Sequence, residues 1–344
     1  MNKLRIAQVM ASGPVSGGLE KHFGELCAGL ASQHDVMVIA HPAHAERCGQ
    51  GVAFSPLDST ASRRNPLLLF RLQRLLAKFR PDVIHAHANK AAAMVHSLRR
   101  TLPARRVATV HGFKRHNEVF QSFEEVIAVS RAISEKLPVA ARVIPNGIRP
   151  PELSTHVGPA WLRQEFGFHN RQPVVVAVGR LAPVKGFDFL LESWRNVEAQ
   201  LLIVGDGPER QRLEHAAQNA GLQSRVRFAG YRRDVPDLLA SSDLAVITSQ
   251  REGFPYVLVE ALHLKRPVAS TRFPGAEQII PPPYLCDYGD SASLARIVHG
   301  ALTDPEAAQL AFQSSWQQAT QEFTVERMLE RTLDVYQQLP ARAA

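Results

Sequence analysis

Short apolar runs alternate with stretches of helical period along the whole chain. In the first half the runs are Leu4–Met10, Asp35–Ala40, Asp82–His87, Val107–His111, Glu125–Val129 and Arg142–Ile144. Their Val, Ile and Ala content is near-continuous rather than alternating, which predicts parallel strands covered on both faces. Helices are expected between them, as at Leu19–Ser32 and Pro66–Phe79. The stretch IRPPELSTHVGPAW, Ile148–Trp161, breaks the pattern with Pro, Gly, Ser and Thr and is expected to link two domains. The pattern then restarts with Pro173–Val178, Gln200–Val204, Val226–Ala229, Leu244–Thr248, Pro267–Ser270 and Tyr284–Asp287. The tail Val325–Leu339 has the period of an amphipathic helix. A chain of 344 residues is also too long for one ordinary core. The expected class is α/β, with two doubly wound parallel-sheet domains facing across a cleft. They would occupy 1–150 and 172–322, with a linker over 151–171 and a terminal helical segment over 323–344.

Composition, 45% hydrophobic and 21% charged, is that of a globular chain. Cys27, Cys48 and Cys286 form no Cys-x-x-Cys pair and leave an odd count, which argues against a disulfide framework and fits a reducing cytosol. The opening MNKLRIAQVMASG is expected to be a first strand rather than a signal peptide. No apolar run approaches the ~20 residues that span a bilayer. The net charge of +8 is uneven. Residues 1–150 carry 21 Lys/Arg against 10 Asp/Glu, a net of +11, and residues 151–344 carry 19 against 22, a net of −3. A basic half implies an anionic partner: nucleic acid, a phosphorylated substrate or an acidic membrane face.

In open α/β sheets ligands bind at the carboxyl ends of the strands, so the candidate chemistry lies in the loop after each strand. Gly17 and Gly18 precede a helix, either as a tight turn or as a place where backbone N–H groups approach a phosphate. The spacing is not Gly-x-Gly-x-x-Gly, and the second strand ends at His41 rather than an acid, which disfavours a nicotinamide dehydrogenase. His111 falls at a strand end, where it is either structural or a cleft residue. His85 and His87 share one face of a strand end, but the sequence offers no third ligand to make a metal site of them. Arg180 and Lys185, in VGRLAPVKGFD, are either solvated cations or a pair that reaches one phosphate group. In VGDGPERQRLE, Asp206 suits a helix N-cap, Pro208 a first turn, and Gly205 lets a ligand lie near the backbone. In EGFPYVLVEAL, Gly253 and Pro255 mark a loop-to-helix switch near Phe254–Tyr256, which leaves N–H groups at Tyr256 and Val257 for an anion. Glu252 precedes this helix and Glu260 lies about one turn inside it; either one alone suits a solvent-facing carboxylate.

Together the stretches GPVSGGLEKH, DVIHAH, VHG, VIPNGI, VGRLAPVKGFD, IVGDGPER, VRFAGYRRDV and EGFPYVLVEAL resemble, in order and over nearly the whole chain, the retaining glycosyltransferases of family 4, which have the GT-B fold. The resemblance implies that Arg180 and Lys185 hold the donor diphosphate, and that Gly17 and Gly18 approach the same phosphates or the acceptor. It implies that Glu252 faces the donor sugar, that Phe254, Pro255, Tyr256 and Val257 line sugar and phosphates, and that Glu260 holds the ribose. Tyr231 and Arg232 would lie near the base, His111 would contact the sugar, and the tail helix would cross back to the first domain.

No Asp-x-Asp occurs in the sequence, so no metal and no further cofactor are expected. Cations and helix dipoles would stabilise the leaving group instead. The expected donor is a nucleotide sugar, UDP-linked rather than GDP-linked, and the acceptor a glycan or a lipid-linked chain of the bacterial envelope. SRRNPLLLFRLQRLLAKFR is either a core helix with a solvated basic face or a contact, through Arg63–Arg80, with anionic membrane. The expected location is cytoplasmic, peripheral on the inner face of the membrane. The rivals are a nucleotide-sugar epimerase on the same fold and a non-catalytic sugar-nucleotide-binding subunit. Nucleic-acid binding is disfavoured, because no aromatic stacking platform accompanies the scattered charges.

Overall fold

The near-continuous apolar runs become strands buried on both faces. The computed structural model describes residues 3–14, 17–49, 51–168 and 172–339, and divides the chain into two compact units. The first unit takes Met1–Gly147 and the returning segment Glu322–Ala344; the second takes Ile148–Gln321.

The first unit runs β1 (Arg5–Met10), α1 (Gly18–Ala31), β2 (Asp35–Ala40), β3 (Ala53–Pro56), α2 (Pro66–Phe79), β4 (Val83–His87), α3 (Ala88–Ser97), β5 (Arg105–Val110), β6 (Glu125–Ala128), α4 (Arg131–Ser134) and β7 (Arg142–Val143). Its seven strands are parallel, in the order β3-β2-β1-β4-β5-β6-β7. The second unit runs α5 (Pro159–Glu165), β8 (Val174–Val178), α6 (Phe187–Trp194), β9 (Gln200–Val204), α7 (Arg210–Asn219), β10 (Val226–Gly230), α8 (Val235–Ser241), β11 (Leu244–Ile247), α9 (Tyr256–His263), β12 (Val268–Thr271), β13 (Leu285–Cys286), α10 (Ser291–Thr303) and α11 (Pro305–Glu322). Its six strands are also parallel, in the order β10-β9-β8-β11-β12-β13. The order reverses between β1 and β4 in one sheet and between β8 and β11 in the other, and these switch points are where such sheets bind ligands.

The last helix, α12 (Val325–Gln337), belongs to the first unit. Its apolar stripe of Met328, Val335 and Tyr336, continued by Leu339, packs on Phe23, Leu26, Cys27 and Leu30 of α1. Thr324 caps it by accepting the Arg327 N–H at 3.2 Å. All three cysteines are buried and free.

Two local expectations are corrected. A short edge strand, β3, joins the first sheet where no strand was expected; it is four residues long, half exposed, and ends on Pro56. The helix after β9 starts at Arg210, not beside Pro208. Asp206 therefore caps no helix: its carboxylate takes the Gly207 N–H at 2.7 Å and pairs with Arg210 at 3.2 Å.

Candidate functional site

In the second unit three loops at the carboxyl ends of the strands are pinned to one another. Gly179 N–H donates to Val204, Leu181 N–H to Asp206, and Gln250 N–H to Val184, each at 2.9 Å. The approach is so close that a Cβ on Gly205, whose φ is +136°, would lie 2.0 Å from the Gly179 carbonyl oxygen. That backbone admits only glycine. The loop after β8 thus holds Arg180 and Lys185 at a fixed height beside the switch point. Arg180 is exposed and its guanidinium makes no bond within the described residues.

The loop after β11 carries the other half of the site. Glu252 Oε1 accepts from Lys185 Nζ and from Ser249 Oγ, both at 2.5 Å. The side chains of Lys185 and Glu252 keep 26% and 11% of their surface, so this ion pair is largely withdrawn from water. The two residues assigned separately to phosphate and sugar are therefore bonded to each other. Gly253 is half-buried; Phe254, Pro255 and Tyr256 are buried. Pro255 is the N-cap residue of α9, so Tyr256 and Val257 form its first turn, where helical N–H groups have no acceptor within the helix and the dipole favours an anion. Glu260 is buried rather than solvent-facing, one turn further in.

In the first unit Gly17 is the N-cap residue of α1 and Gly18 its first position, and both are exposed. Their neighbours Val15 and Ser16 lie outside the described residues. His111 sits one residue beyond β5, beside a chain of buried polar side chains that the sequence did not suggest. Thr109 Oγ1 is 2.7 Å from His85 Nε2, and Tyr336 Oη of α12 is 2.6 Å from His85 Nδ1. Gln8 Nε2 donates to Tyr336 Oη at 2.9 Å, while Gln8 Oε1 meets His87 Nε2 at 2.7 Å. His87 Nδ1 is 3.3 Å from His111 Nε2, and the His22 ring of α1 lies edge-on to His111, centroids 4.6 Å apart. Burial drives the His22 imidazole down to about 4, against the pull of Asn146, and His85 down to about 3, with the neighbouring His22 adding to it. His87 and His111 are also held well below the ordinary range, by burial first and then by their neighbours. Four neutral imidazoles thus share the carboxyl end of this sheet.

Comparisons with known proteins place the chain in a family. The model of the Glycosyltransferase Family 4 matches residues 16–151, and that of the Glycosyl transferases group 1 matches residues 161–319. The chain belongs to family 4 of the glycosyltransferases. The lipopolysaccharide core biosynthesis glycosyltransferase LpsD of Rhizobium meliloti is 28% identical to it over 252 residues, 70% of each chain. The glycosyltransferase of Rickettsia africae superposes with a TM-score of 0.85 at 19% identity, over 100% of both chains. Anabaena HepE, solved with UDP and glucose, superposes with a TM-score of 0.87 at 23% identity, over 98% of this chain and 100% of that one. The fold of this family 4 glycosyltransferase is GT-B.

Two further residues of the glycosyltransferase stand after β10. Tyr231 exposes 58% of its surface, the profile of a ring open to a stacking partner. Arg232 is not open: it grips Asp234 at 2.8 and 2.6 Å and Glu165 at 3.1 Å, and lies over the Phe166 ring at 5.5 Å. On α2, Leu68, Leu72 and Leu76 face the core, yet Leu67 and Phe70 remain exposed at 57% and 56% among exposed Arg63, Arg64, Arg71, Arg74, Lys78 and Arg80. Among the described residues, no helix is long and apolar enough to cross a membrane.

Proposed function

We propose that this glycosyltransferase moves a hexose-type sugar, with retention, from a UDP-sugar to a glycan or lipid-linked acceptor in the assembly of bacterial lipopolysaccharide or another surface polysaccharide. The observation that carries the reading is the pair of loops flanking the switch point of the second sheet. The first carries the exposed Arg180 and bonds through Lys185 to Glu252 of the second, which leads into α9, where Glu260 is buried one turn in. Such a set suits a nucleoside diphosphate sugar: cations and helix N–H groups for the diphosphate, one carboxylate for sugar hydroxyls, the other for a ribose. Tyr231 would stack on the base, and Arg232, fastened to Asp234 and Glu165, would shape that pocket through Phe166. His111 and the Gly17–Gly18 turn keep the roles that the family pattern implies, sugar contact and phosphate or acceptor contact. UDP is favoured because HepE was solved with it, and an envelope acceptor because LpsD is named for lipopolysaccharide core synthesis.

In the proposed step the acceptor oxygen attacks the anomeric carbon from the face that the diphosphate leaves. The bond from that carbon to the phosphate oxygen breaks as the new glycosidic bond forms. The acceptor's proton passes to the departing phosphate oxygen. Charge grows on the leaving diphosphate, and with no Asp-x-Asp in the sequence its stabilisation falls to Arg180, Lys185 and the first turn of α9. Lys185 would exchange Glu252 for phosphate as the donor enters, freeing the carboxylate for sugar hydroxyls. A panel of UDP- and GDP-sugars, scored with EDTA present by thermal shift and by nucleotide release, tests the reading. A UDP-hexose that raises the melting midpoint and yields UDP is the expected result. A GDP-sugar that outperforms every UDP-sugar refutes the choice of nucleotide, and a panel with no hit refutes the function.

A further inference from the structure

We propose that the first unit holds a zinc-class divalent cation on His22, His87 and His111, each giving one imidazole nitrogen. This goes beyond glycosyl transfer and does not depend on it. The ligands come from three elements beside the first switch point: His22 from α1, His87 from the end of β4, and His111 from just after β5. One ring nitrogen of each lies within 4.8 Å of the others.

The hydrogen bonds on the far sides of the rings choose which nitrogens face inward. His22 Nδ1 meets Asn146 Oδ1 at 2.9 Å, and His87 Nε2 meets Gln8 Oε1 at 2.7 Å. An amide oxygen only accepts, so both of those nitrogens carry the hydrogen. The lone pairs therefore fall on His22 Nε2 and His87 Nδ1. In this orientation the Gln8 NH2 group also donates to Tyr336 Oη, at 2.9 Å. Carbonyl partners that fix the tautomer and ring angle are the usual outer support of metal-binding histidines.

The spacing agrees. In a tetrahedral site with metal–nitrogen bonds of about 2.0–2.1 Å, neighbouring nitrogens stand roughly 3.4 Å apart. His87 Nδ1 and His111 Nε2 are already 3.3 Å apart. His22 offers a ring nitrogen within 4.8 Å of both, so the set is completed as that ring closes in. His22 Nε2 is buried with no hydrogen-bond partner, a lone pair that a cation would satisfy. Three neutral imidazoles suit zinc, copper or nickel rather than magnesium or calcium. Three protein ligands leave a fourth position for water or an anion.

The test uses the full chain without a polyhistidine tag, stripped with EDTA and titrated with Co2+ as a spectroscopic stand-in for zinc. Bound metal is counted after equilibrium dialysis. The expected result is one equivalent with the intense visible band of tetrahedral Co2+, displaced by Zn2+. His22→Gln should lose that band and weaken binding at least about tenfold, and His111→Gln should do the same from a half-buried position that tolerates change better. Far-ultraviolet circular dichroism without metal checks that each variant is folded. If the wild type binds no Co2+, the proposal is wrong. If the folded variants bind as tightly as the wild type, the ion lies on other histidines and the proposal is equally overturned. Should neither variant fold, Asn146→Ala, which removes the outer support of His22, decides: unchanged affinity overturns the site, and a loss of about 10–100-fold supports it.

Discussion

Acid should unfold the first unit before the second, because the first buries imidazoles that must stay neutral. His22 is held at about 4 and His85 at about 3, against about 6.5 in an unfolded chain. Between these values the unfolded chain binds a proton at each histidine and the folded chain does not. Stability is therefore fully present above the unfolded value and is lost as pH falls below it. At pH 5 each group lies ~1.5 units below its unfolded pKa, so each removes about 2 kcal/mol, and the two together about 4 kcal/mol. His87 and His111 act in the same direction. A loss of this size is a large part of the ~5–15 kcal/mol that stabilises an ordinary domain.

The chain carries its own reporter. Its three tryptophans, Trp161, Trp194 and Trp316, all lie in the second unit. Urea unfolding in EDTA, followed by tryptophan fluorescence, then reads the second unit, while far-ultraviolet circular dichroism reads both. From pH 7 to pH 5 the dichroism should develop an early transition that fluorescence does not see. Hydrogen exchange should place that transition in β1, β4 and β5. A stability loss below about 1 kcal/mol, or one confined to the fluorescence signal, would refute the claim that these histidines are buried and neutral.

Removing the Tyr336 hydroxyl leaves His85 Nδ1 and Gln8 Nε2 without a buried partner, so Tyr336→Phe should cost the first unit about 2–4 kcal/mol in urea and leave the tryptophan transition unmoved. Gly205→Ala drives a Cβ into the Gly179 carbonyl and should destabilise the second unit by about 3 kcal/mol or more, read by tryptophan fluorescence; a wild-type midpoint would show that the loops are not pinned. Lys185→Ala should lower kcat/KM for the nucleotide sugar by about 10²–10³. Glu252→Gln should instead tighten UDP a few-fold while lowering turnover, since it releases the lysine; parallel losses of UDP affinity in both variants would sink the exchange of partners. Vesicles rich in anionic lipid should pellet the protein at low salt and lose it at high salt, and replacing Leu67 and Phe70 by Ser should weaken pelleting; wild-type pelleting by that variant would remove α2 from the contact.

Strands β2 and β9 match their apolar runs to the residue, because parallel strands buried on both faces write their limits as changes of composition. The helix Pro66–Phe79 is equally plain, with Asn65 capping and proline at its first position. β3 is not legible, since four half-exposed residues on a sheet edge carry little apolar signal. The start of α7 is ambiguous in sequence because Asp206 and Pro208 suit a cap as well as the turn they form. Side-chain partnerships are hardest. Lys185 and Glu252 stand 67 positions apart, and His85 and Tyr336 stand 251 apart. His22 looks like an ordinary helix residue; only the register that sets β1 beside β4 and β4 beside β5 brings His87 and His111 to it.

The net charge of +11 in residues 1–150 suggests that the basic half meets the anionic ligand. The distribution of that charge argues otherwise. The carboxyl end of the first sheet holds four imidazoles kept neutral by burial, an arrangement that offers lone pairs rather than charge. A large group of the cations lies exposed on and around α2, from Arg63 to Arg80. The second unit, net negative as a whole, nevertheless sets Arg180, Lys185 and a helix N-terminus at its switch point. A diphosphate is recognised by a few charges at one place and not by the sum over a domain, because beyond a Debye length of about 8–10 Å the remainder is screened. The domain-wide charge thus describes the exposed surface around α2, and the loops after β8 and β11 supply the local cations that the proposed diphosphate would need.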